Sequence, residues 1–194
     1  MNRRTFLIGL SAAVLASVVG GVVYFENEGK SALNQNGTRE IVDSFGRTVY
    51  IPTTVDRVVA LGPGTLQLVI YAGGLNKLSG IEQIELRNMW GQDVWLAYNS
   101  DFNNLPVVGE GGPNASPDPS AIMLAKPQVI LEDQLYAEVL DPDQLQRETG
   151  TPVVVVSTFS PKRTGELDPD TFKSSMNLLG EVLGTKDRVS NLNE

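Results

Sequence analysis

The chain has 194 residues, a formal net charge of −8 and 41% hydrophobic residues, enough for one well-cored globular domain with an appendage. It contains no cysteine and no histidine, which excludes disulfides, thiolate nucleophiles, Ser-His-Asp triads and His-ligated metals. Its acidic character argues against nucleic acid as a partner, because a phosphate backbone is bound by clustered Lys and Arg. A directly bound metal would need an all-oxygen site, and the sequence suggests neither a metal site nor catalytic residues.

Residues 1–25 are predicted to be an export signal or a membrane anchor. Arg3 and Arg4 precede residues 5–25, which carry no charge and approach the roughly 20 residues needed to span a bilayer. The pattern Arg-Arg-x-Phe-Leu resembles a twin-arginine signal, and the lack of cysteine excludes a lipoprotein anchor. By the positive-inside rule the body is then extracytoplasmic, in the periplasm or at the cell surface. Residues 26–40 are predicted to be a flexible linker.

A hairpin is predicted next, followed by alternating strands and helices. The hairpin comprises two short strands around a turn at Gly46, and Pro52 closes it. The alternation that follows predicts an α/β fold, with a mostly parallel sheet flanked by helices. The predicted strands are 58–61, 78–81, 107–108, 129–131 and 153–156, and the predicted helices are 65–71, 82–89, 120–125 and 136–148.

Two further stretches complete the prediction. Residues 90–106 are rich in aromatic residues and are predicted to form a loop or a broken helix. Near the end of the chain, Asp168 is predicted to cap a helix that has Pro169 at its first position. An interruption at Gly184 and Thr185 precedes a second helix, which is predicted to begin at Lys186.

The most informative stretch is 57–71. A short apolar run ends in Gly62-Pro63-Gly64, and Thr65 is the predicted N-cap of the helix that follows. In an open α/β sheet, ligands bind in the crevice at the carboxyl ends of the strands. A turn without bulky side chains, followed by free helical N–H groups, would let a ligand approach the backbone. An ordinary strand-to-helix turn is the alternative, because isolated glycine signals are weak.

An ordered series of landmarks resembles the N-terminal lobe of the substrate-binding proteins of ABC importers for iron–siderophore, haem and vitamin B12. This is the class III, helical-backbone type of periplasmic binding protein. Each landmark is weak alone, whereas their order and spacing together are specific. They are Asp43-Ser44-Phe45-Gly46-Arg47 with the strand up to Pro52, Arg57-Val58-Val59-Ala60-Leu61, Pro106-Val107-Val108-Gly109, Leu124-Ala125-Lys126-Pro127, Gly150-Thr151-Pro152-Val153-Val154 and Leu179-Gly180-Glu181-Val182-Leu183-Gly184.

The resemblance implies two α/β lobes joined by one long helix, with the ligand in the cleft between them. Residues 41–184 would form the N-terminal lobe and 185–194 the start of the interlobe helix, so that the chain lacks the second lobe. Ligand-binding residues are then expected at the strand ends. They are Gly62, Pro63, Gly64, Thr65, Glu82, Gly109, Glu110, Gly111, Gly112, Glu132 and Asp133. For Glu132 and Asp133, the alternative is that they are solvated loop acids.

The resemblance also implies the function. The chain is expected to be the non-catalytic, extracytoplasmic substrate-binding component of an ABC transporter, with a permease and its ATPase as partners. The implied ligand is an iron complex with a siderophore, haem or a corrinoid, and no resident cofactor is expected. The alternatives are a membrane-anchored sensor or binding module and, less favoured, a doubly wound enzyme.

Two positions depart from the pattern of these binding proteins. Many of them have a glutamate at the position of Ser120, where it pairs with an arginine of the permease. The serine puts that salt bridge in doubt, and Asp118 or Glu110 could replace it. Gln128 follows Lys126-Pro127 where the pattern has aspartate.

Overall fold

The computed structural model describes residues 37–87, 93–112, 117–157 and 168–192. Residue contacts divide the chain into Met1–Arg39 and Glu40–Glu194. The predicted signal or anchor, and the linker up to residue 36, lie outside the described residues. Among the helices that the structure describes, none is long and apolar enough to cross a membrane.

The second unit is built on a four-stranded parallel sheet with the order β4-β3-β5-β6. These strands are β3 (Val58–Leu61), β4 (Leu78–Gly80), β5 (Val129–Asp133) and β6 (Val153–Val156), and β1 (Thr38–Val42) pairs with β2 (Thr48–Pro52) in a separate two-stranded sheet. β3, β5 and β6 are buried at every position, as expected for parallel strands covered on both faces. Their continuous apolar runs therefore reflect burial on both sides of the sheet.

Seven α-helices connect and cover the sheet in the described ranges. They are α1 (Thr65–Tyr71), α2 (Asp93–Phe102), α3 (Pro119–Ala125), α4 (Gln134–Ala137), α5 (Pro142–Thr149), α6 (Pro169–Leu183) and α7 (Lys186–Leu192), with 3-10 turns at Leu75–Lys77 and Gln83–Leu86. One face of the sheet packs in a large apolar cluster with α1, α6 and α7. The other face packs with residues of α3, α4 and α5. The α/β architecture with a mostly parallel sheet is thus confirmed.

Several predicted boundaries needed correction. Helix 82–89 was wrong in type, because its described part is the 3-10 turn Gln83–Leu86. Helix 136–148 is two helices, since Asp141 caps α5 and Pro142 occupies its first turn. Residues 107–108 form no regular strand, although Val107 bridges Ile81 in parallel.

The remaining corrections concern three shorter segments. The predicted linker ends early, because β1 already begins at Thr38. Within the aromatic stretch 90–106, the described residues include a regular helix, α2. Thr65 is the first residue of α1 and not its cap; the cap position is Gly64 and carries no side-chain hydrogen bond.

The hairpin is attached to the edge strand β6 through the carboxylate of Asp43. One oxygen accepts the backbone N–H groups of Phe45 and Arg47 at 3.0 and 2.9 Å. The other accepts the Arg47 guanidinium at 2.6 and 3.0 Å and the Val155 N–H at 3.2 Å. Arg47 also bonds Asp143 of α5 and the Val153 carbonyl. The Asp-x-x-Gly-Arg landmark is therefore a structural clamp between the hairpin, the sheet and α5.

Replacing Asp43 with asparagine should destabilise the fold strongly. The substitution leaves the Arg47 guanidinium without its buried charge partner, and breaking such a pair costs about 3–5 kcal/mol. Urea unfolding of the wild type and D43N would measure the loss. The matched control is D56N, since Asp56 is mostly exposed and pairs with Lys77 at 3.2 Å, a surface contact worth about 1 kcal/mol or less. Equal losses in the two variants would contradict the clamp.

Candidate functional site at the carboxyl edge of the sheet

The carboxyl ends of β3 and β5 lie side by side at a topological switch point. From β3 the chain crosses to β4 on one side, whereas from β5 it crosses to β6 on the other. The two outgoing connections therefore diverge, and such a point is the usual ligand position in open α/β sheets. We call the residues that follow β3, β4 and β5, together with the loop 109–112, the strand-end cluster.

The turn after β3 is closely packed against the segment after β5. Gly62 has a φ of +88°, and a Cβ atom there would lie 2.7 Å from the Cβ of Asp133 and 3.1 Å from the Tyr136 ring. Asp133 in turn caps α4, because its carboxylate accepts the Leu135 N–H at 2.9 Å. The predicted glycine turn and the predicted acid are thus brought together, and glycine is required at position 62.

Glu82 connects the turn after β3 to the loop 109–112. Its Oε2 accepts the Gly62 N–H at 2.8 Å, while Oε1 is buried and accepts no hydrogen bond. The pKa of Glu82 is raised to about 7, mainly by burial and to a smaller extent by the charge of Glu85, against the opposing effects of the Gly62 N–H and the Tyr136 hydroxyl. The carboxyl group is therefore close to half protonated at neutral pH.

The loop 109–112 is held against the segment after β4. The carbonyls of Gly109 and Glu110 accept the N–H groups of Gln83 and Ile84 at 2.8 and 3.0 Å. Gly111, at φ +73°, leaves no room for a side chain, since a Cβ atom there would lie 2.5 Å from the Ile84 side chain. Both loops at this edge consequently present mainly backbone.

Glu132 is a fully buried acid without a hydrogen-bond donor. It is 0% exposed, pairs in register with Leu61 and Val155, and both of its carboxyl oxygens accept nothing. Burial raises its pKa to about 8; Arg47 opposes this change, whereas Asp133, Asp141 and Glu82 add to it. A buried carboxylate without donors is costly, so Glu132 holds its proton at neutral pH.

Burial separates the predicted site residues into two groups. Four have buried side chains that lie beneath the loops: Thr65, Glu82, Glu132 and Asp133. The rest of the predicted set, apart from the buried Gly62, is exposed or partly exposed: Pro63, Gly64, Gly109, Glu110, Gly111 and Gly112. Glu110 lies 3.7 Å from Arg87, and both side chains are mostly exposed. Glu82 bonds the turn after β3 and Asp133 caps α4, and direct ligand contact stays a prediction for the whole set.

Sequence reasoning missed Tyr136 and a groove beyond β6. Tyr136 lies in the first turns after the β5 acids, and its hydroxyl donates to the Gly112 carbonyl at 2.9 Å. Its position three residues after Asp133, at the end of a strand, was the available signal. The groove has a volume of about 310 Å³ and is rich in hydroxyl groups; Ser44, Gln134, Ser157, Asp170, Thr171, Ser174 and Ser175 line it.

Replacing Gly62 with alanine should lower the free energy of unfolding more than the same substitution at another glycine with a positive φ. Gly46 has a φ of +73° with open space around it, so G46A should lose about 1–2 kcal/mol from backbone strain alone. G62A adds a steric clash and should lose a further 1–3 kcal/mol or so. Urea unfolding of both variants measures the difference, and equal losses would contradict the close packing of Gly62 on Asp133.

Replacing Glu132 with glutamine should flatten the dependence of stability on pH. Because the folded-state pKa is raised, the wild type binds an extra proton when folded, and its stability falls as pH rises from the ordinary carboxyl range through about 8. At pH 9, E132Q should exceed the wild type by about 1–3 kcal/mol, the cost of a buried unpaired group. Unfolding curves from pH 5 to 9 measure this.

The control for Glu132 is the exposed residue Glu148 on α5, which bonds Gln144 at 2.7 Å. E148Q should follow the wild-type curve at every pH. Parallel curves for E132Q and the wild type would overturn the assignment of a buried, protonated acid at position 132.

Comparisons with known proteins identify the fold. No protein-family model matches the chain, and no curated protein matches it. Solved structures that resemble it include the molybdate-bound periplasmic binding protein MolA of Haemophilus influenzae (TM-score 0.63, 21% identity, 80% of this chain and 49% of that one). The TroA-like protein FepB of Veillonella parvula has a TM-score of 0.63 and 19% identity, over 79% of this chain and 45% of that one. The catecholate-siderophore binding protein VctP of Vibrio cholerae has a TM-score of 0.59 and 18% identity, over 80% of this chain and 49% of that one.

These neighbours are periplasmic binding proteins, of which MolA is named for molybdate and VctP for a siderophore. The heme binding protein HmuT also resembles the chain. The chain spans about half the length of each. The structure therefore has the fold of the N-terminal lobe of the TroA-like, class III periplasmic binding proteins.

Proposed function

We propose that this chain supplies the N-terminal lobe of an extracytoplasmic solute-binding protein that delivers its ligand to an ABC transporter. The observation that carries the proposal is a shared lobe architecture, which matches solute-binding proteins over 80% of the chain. In this role the chain binds and releases a small molecule and catalyses no reaction. Residues 1–25 would direct export or anchor the protein in the membrane.

The likeness to these binding proteins also supports a division of the chain into a lobe and the start of an interlobe helix. Residues 41–184 would form the ligand-binding lobe, and 185–194 would begin the helix that leads to a second lobe. α7 begins at Lys186, directly after the αL cap of α6 at Gly184. The aligned part of this chain covers only 49% and 45% of two neighbours, which supports a second lobe encoded beyond residue 194.

We infer that the ligand is a metal complex: an iron–siderophore complex, haem or a corrinoid. Such ligands are broad, and the glycine-rich loops 62–64 and 109–112 allow close approach to the backbone. The acids beneath these loops are buried, so the first contacts would come from backbone groups, Pro63 and Glu110. The neighbours named for catecholate siderophore and haem support this ligand class, while the molybdate-bound neighbour provides the oxyanion alternative.

Many of these binding proteins dock to the permease through a glutamate at the position of Ser120. In this chain, docking would use another carboxylate. Asp118 is exposed, and its capping of α3 engages Oδ1 alone, through the N–H groups of Ser120 and Ala121 at 2.9 and 3.1 Å. Its second oxygen could therefore accept a permease arginine. Glu110 is also exposed but already pairs with Arg87, so Asp118 is the better candidate. Ser120 itself favours the second candidate function, an anchored sensor without a permease.

The experiment has two steps. Sequencing the source DNA past codon 194 should reveal an in-frame continuation of about 150 residues, roughly one further domain. The complete open reading frame is then expressed and titrated by calorimetry with a ferric catecholate, haemin, cyanocobalamin and molybdate. One of the metal complexes should bind. A stop codon at 194 would contradict the bilobal importer.

A matched pair of variants tests whether the ligand binds at the strand-end cluster. Pro63 is exposed at the strand-end cluster, whereas Leu124 is 79% exposed on α3. P63W should block the ligand and weaken binding about tenfold or more, equivalent to about 1.4 kcal/mol, while L124W should bind like the wild type. Equal affinity of P63W and the wild type would contradict ligand binding at this edge.

A further inference from the structure

Glu82 contacts both loops of the strand-end cluster at once. Its Oε2 accepts the Gly62 N–H at 2.8 Å. On its other side lies Gly111, where a Cβ atom would be only 3.0 Å from the Cβ of Glu82 and 3.2 Å from its carboxyl carbon. Glu82 is only 2% exposed, so its side chain cannot move away without opening one of these contacts.

Tyr136 contacts the same two loops from α4. Its ring packs on Gly62, and its hydroxyl donates to the Gly112 carbonyl at 2.9 Å. The hydroxyl also lies beside the Glu82 carboxyl and interacts with it. Glu82 and Tyr136 therefore form a continuous chain of groups from the turn after β3 to the loop 109–112.

The tyrosine hydroxyl has one hydrogen, which the Gly112 carbonyl accepts in the structure, and the Glu82 carboxyl that interacts with it is a second possible acceptor. When Glu82 is protonated, its own O–H can donate to the tyrosine oxygen, which leaves the tyrosine hydrogen on Gly112. When Glu82 is ionised, its unpartnered oxygen becomes the stronger acceptor, because charged acceptors form stronger hydrogen bonds than neutral carbonyls. The tyrosine hydrogen is then drawn towards Glu82, and the Gly112 carbonyl loses its donor.

We propose that Glu82 is a positioning residue whose protonation fastens the loop 109–112, through Tyr136, to the turn after β3. Loss of the proton releases Gly112 while the bond to the Gly62 N–H remains. The shape of the ligand edge is thereby coupled to proton uptake. Its relevance to ligand binding rests on the proposed function, whereas the switch itself can be observed without a ligand.

The groups that face Glu82 come from four segments. They are the Gly62 N–H after β3, Glu85 in the 3-10 turn Gln83–Leu86, Tyr136 on α4 and Glu132 on β5. None of these groups is basic; the nearby guanidinium of Arg47 acts on Glu132 and is bonded to Asp43 and Asp143. Deprotonation of Glu82 thus adds negative charge that none of these facing groups neutralises.

The test is an NMR titration of the full-length chain in detergent micelles, with the amide signals of Gly62 and Gly112 followed from pH 5 to 9. In the wild type both signals should shift with one common midpoint near 7. In E82Q, which keeps an oxygen acceptor for Gly62, both shifts should be lost. In Y136F the Gly62 signal should still titrate, whereas the Gly112 signal should not.

The control is E85Q, because Glu85 is a neighbouring acid whose pKa is also raised by burial. Both glycine signals should still titrate in E85Q, with a midpoint at lower pH than in the wild type, because the charge of Glu85 raises the pKa of Glu82. A Gly112 shift that persists in E82Q or in Y136F would overturn the proposal, as would a static Gly62 signal in the wild type. Failure of the chain to bind any metal complex would count against the proposed function and leave these outcomes unchanged.

Discussion

The parallel alignment of β3, β4, β5 and β6 is the constraint on which the rest of the structure depends. All four strands end at the same edge, so the residues that follow them must share a small volume. Glycines at positions 62 and 111 meet this constraint by offering no side chain where neighbouring atoms approach within 3 Å. The strand-end cluster therefore presents mainly backbone at this edge, and the side chains of Glu82 and Glu132 are buried within it.

The hairpin bonds to backbone groups along the open edge of the parallel sheet, at β6. β6 would leave backbone groups unpaired along one side, and edge strands invite association with other chains. Ser44 and Asp43 satisfy two of these groups, the carbonyl and the N–H of Val155. The guanidinium of Arg47 satisfies a third, the Val153 carbonyl. One buried ion pair thus closes the sheet and fixes the hairpin.

The buried acids of the strand-end cluster have an unusual environment. Glu82 and Glu132 are buried near each other, and burial is the main cause of the raised pKa of both. Such groups cost little when protonated and much when ionised. The packing of the strand-end cluster can therefore respond to pH through groups that are buried within it.

The sequence by itself determined the limits of several elements. The limits of β3, β6 and α1 follow from β-branched runs and glycine turns, and the start of α6 follows from its Asp168 cap and Pro169. The sequence also identified the edge where the loops meet, since parallel strands end together. These features are local, so short-range patterns are sufficient to predict them.

Only the tertiary structure decided which residues support the site and which face outwards. Nothing local distinguishes Glu132, which is buried without a donor, from a solvated loop acid, because its environment comes from strands and helices distant in sequence. The same holds for Tyr136, whose partner Gly112 is 24 residues away. Burial and long-range hydrogen bonds depend on packing between elements, and a sequence pattern records only the elements themselves.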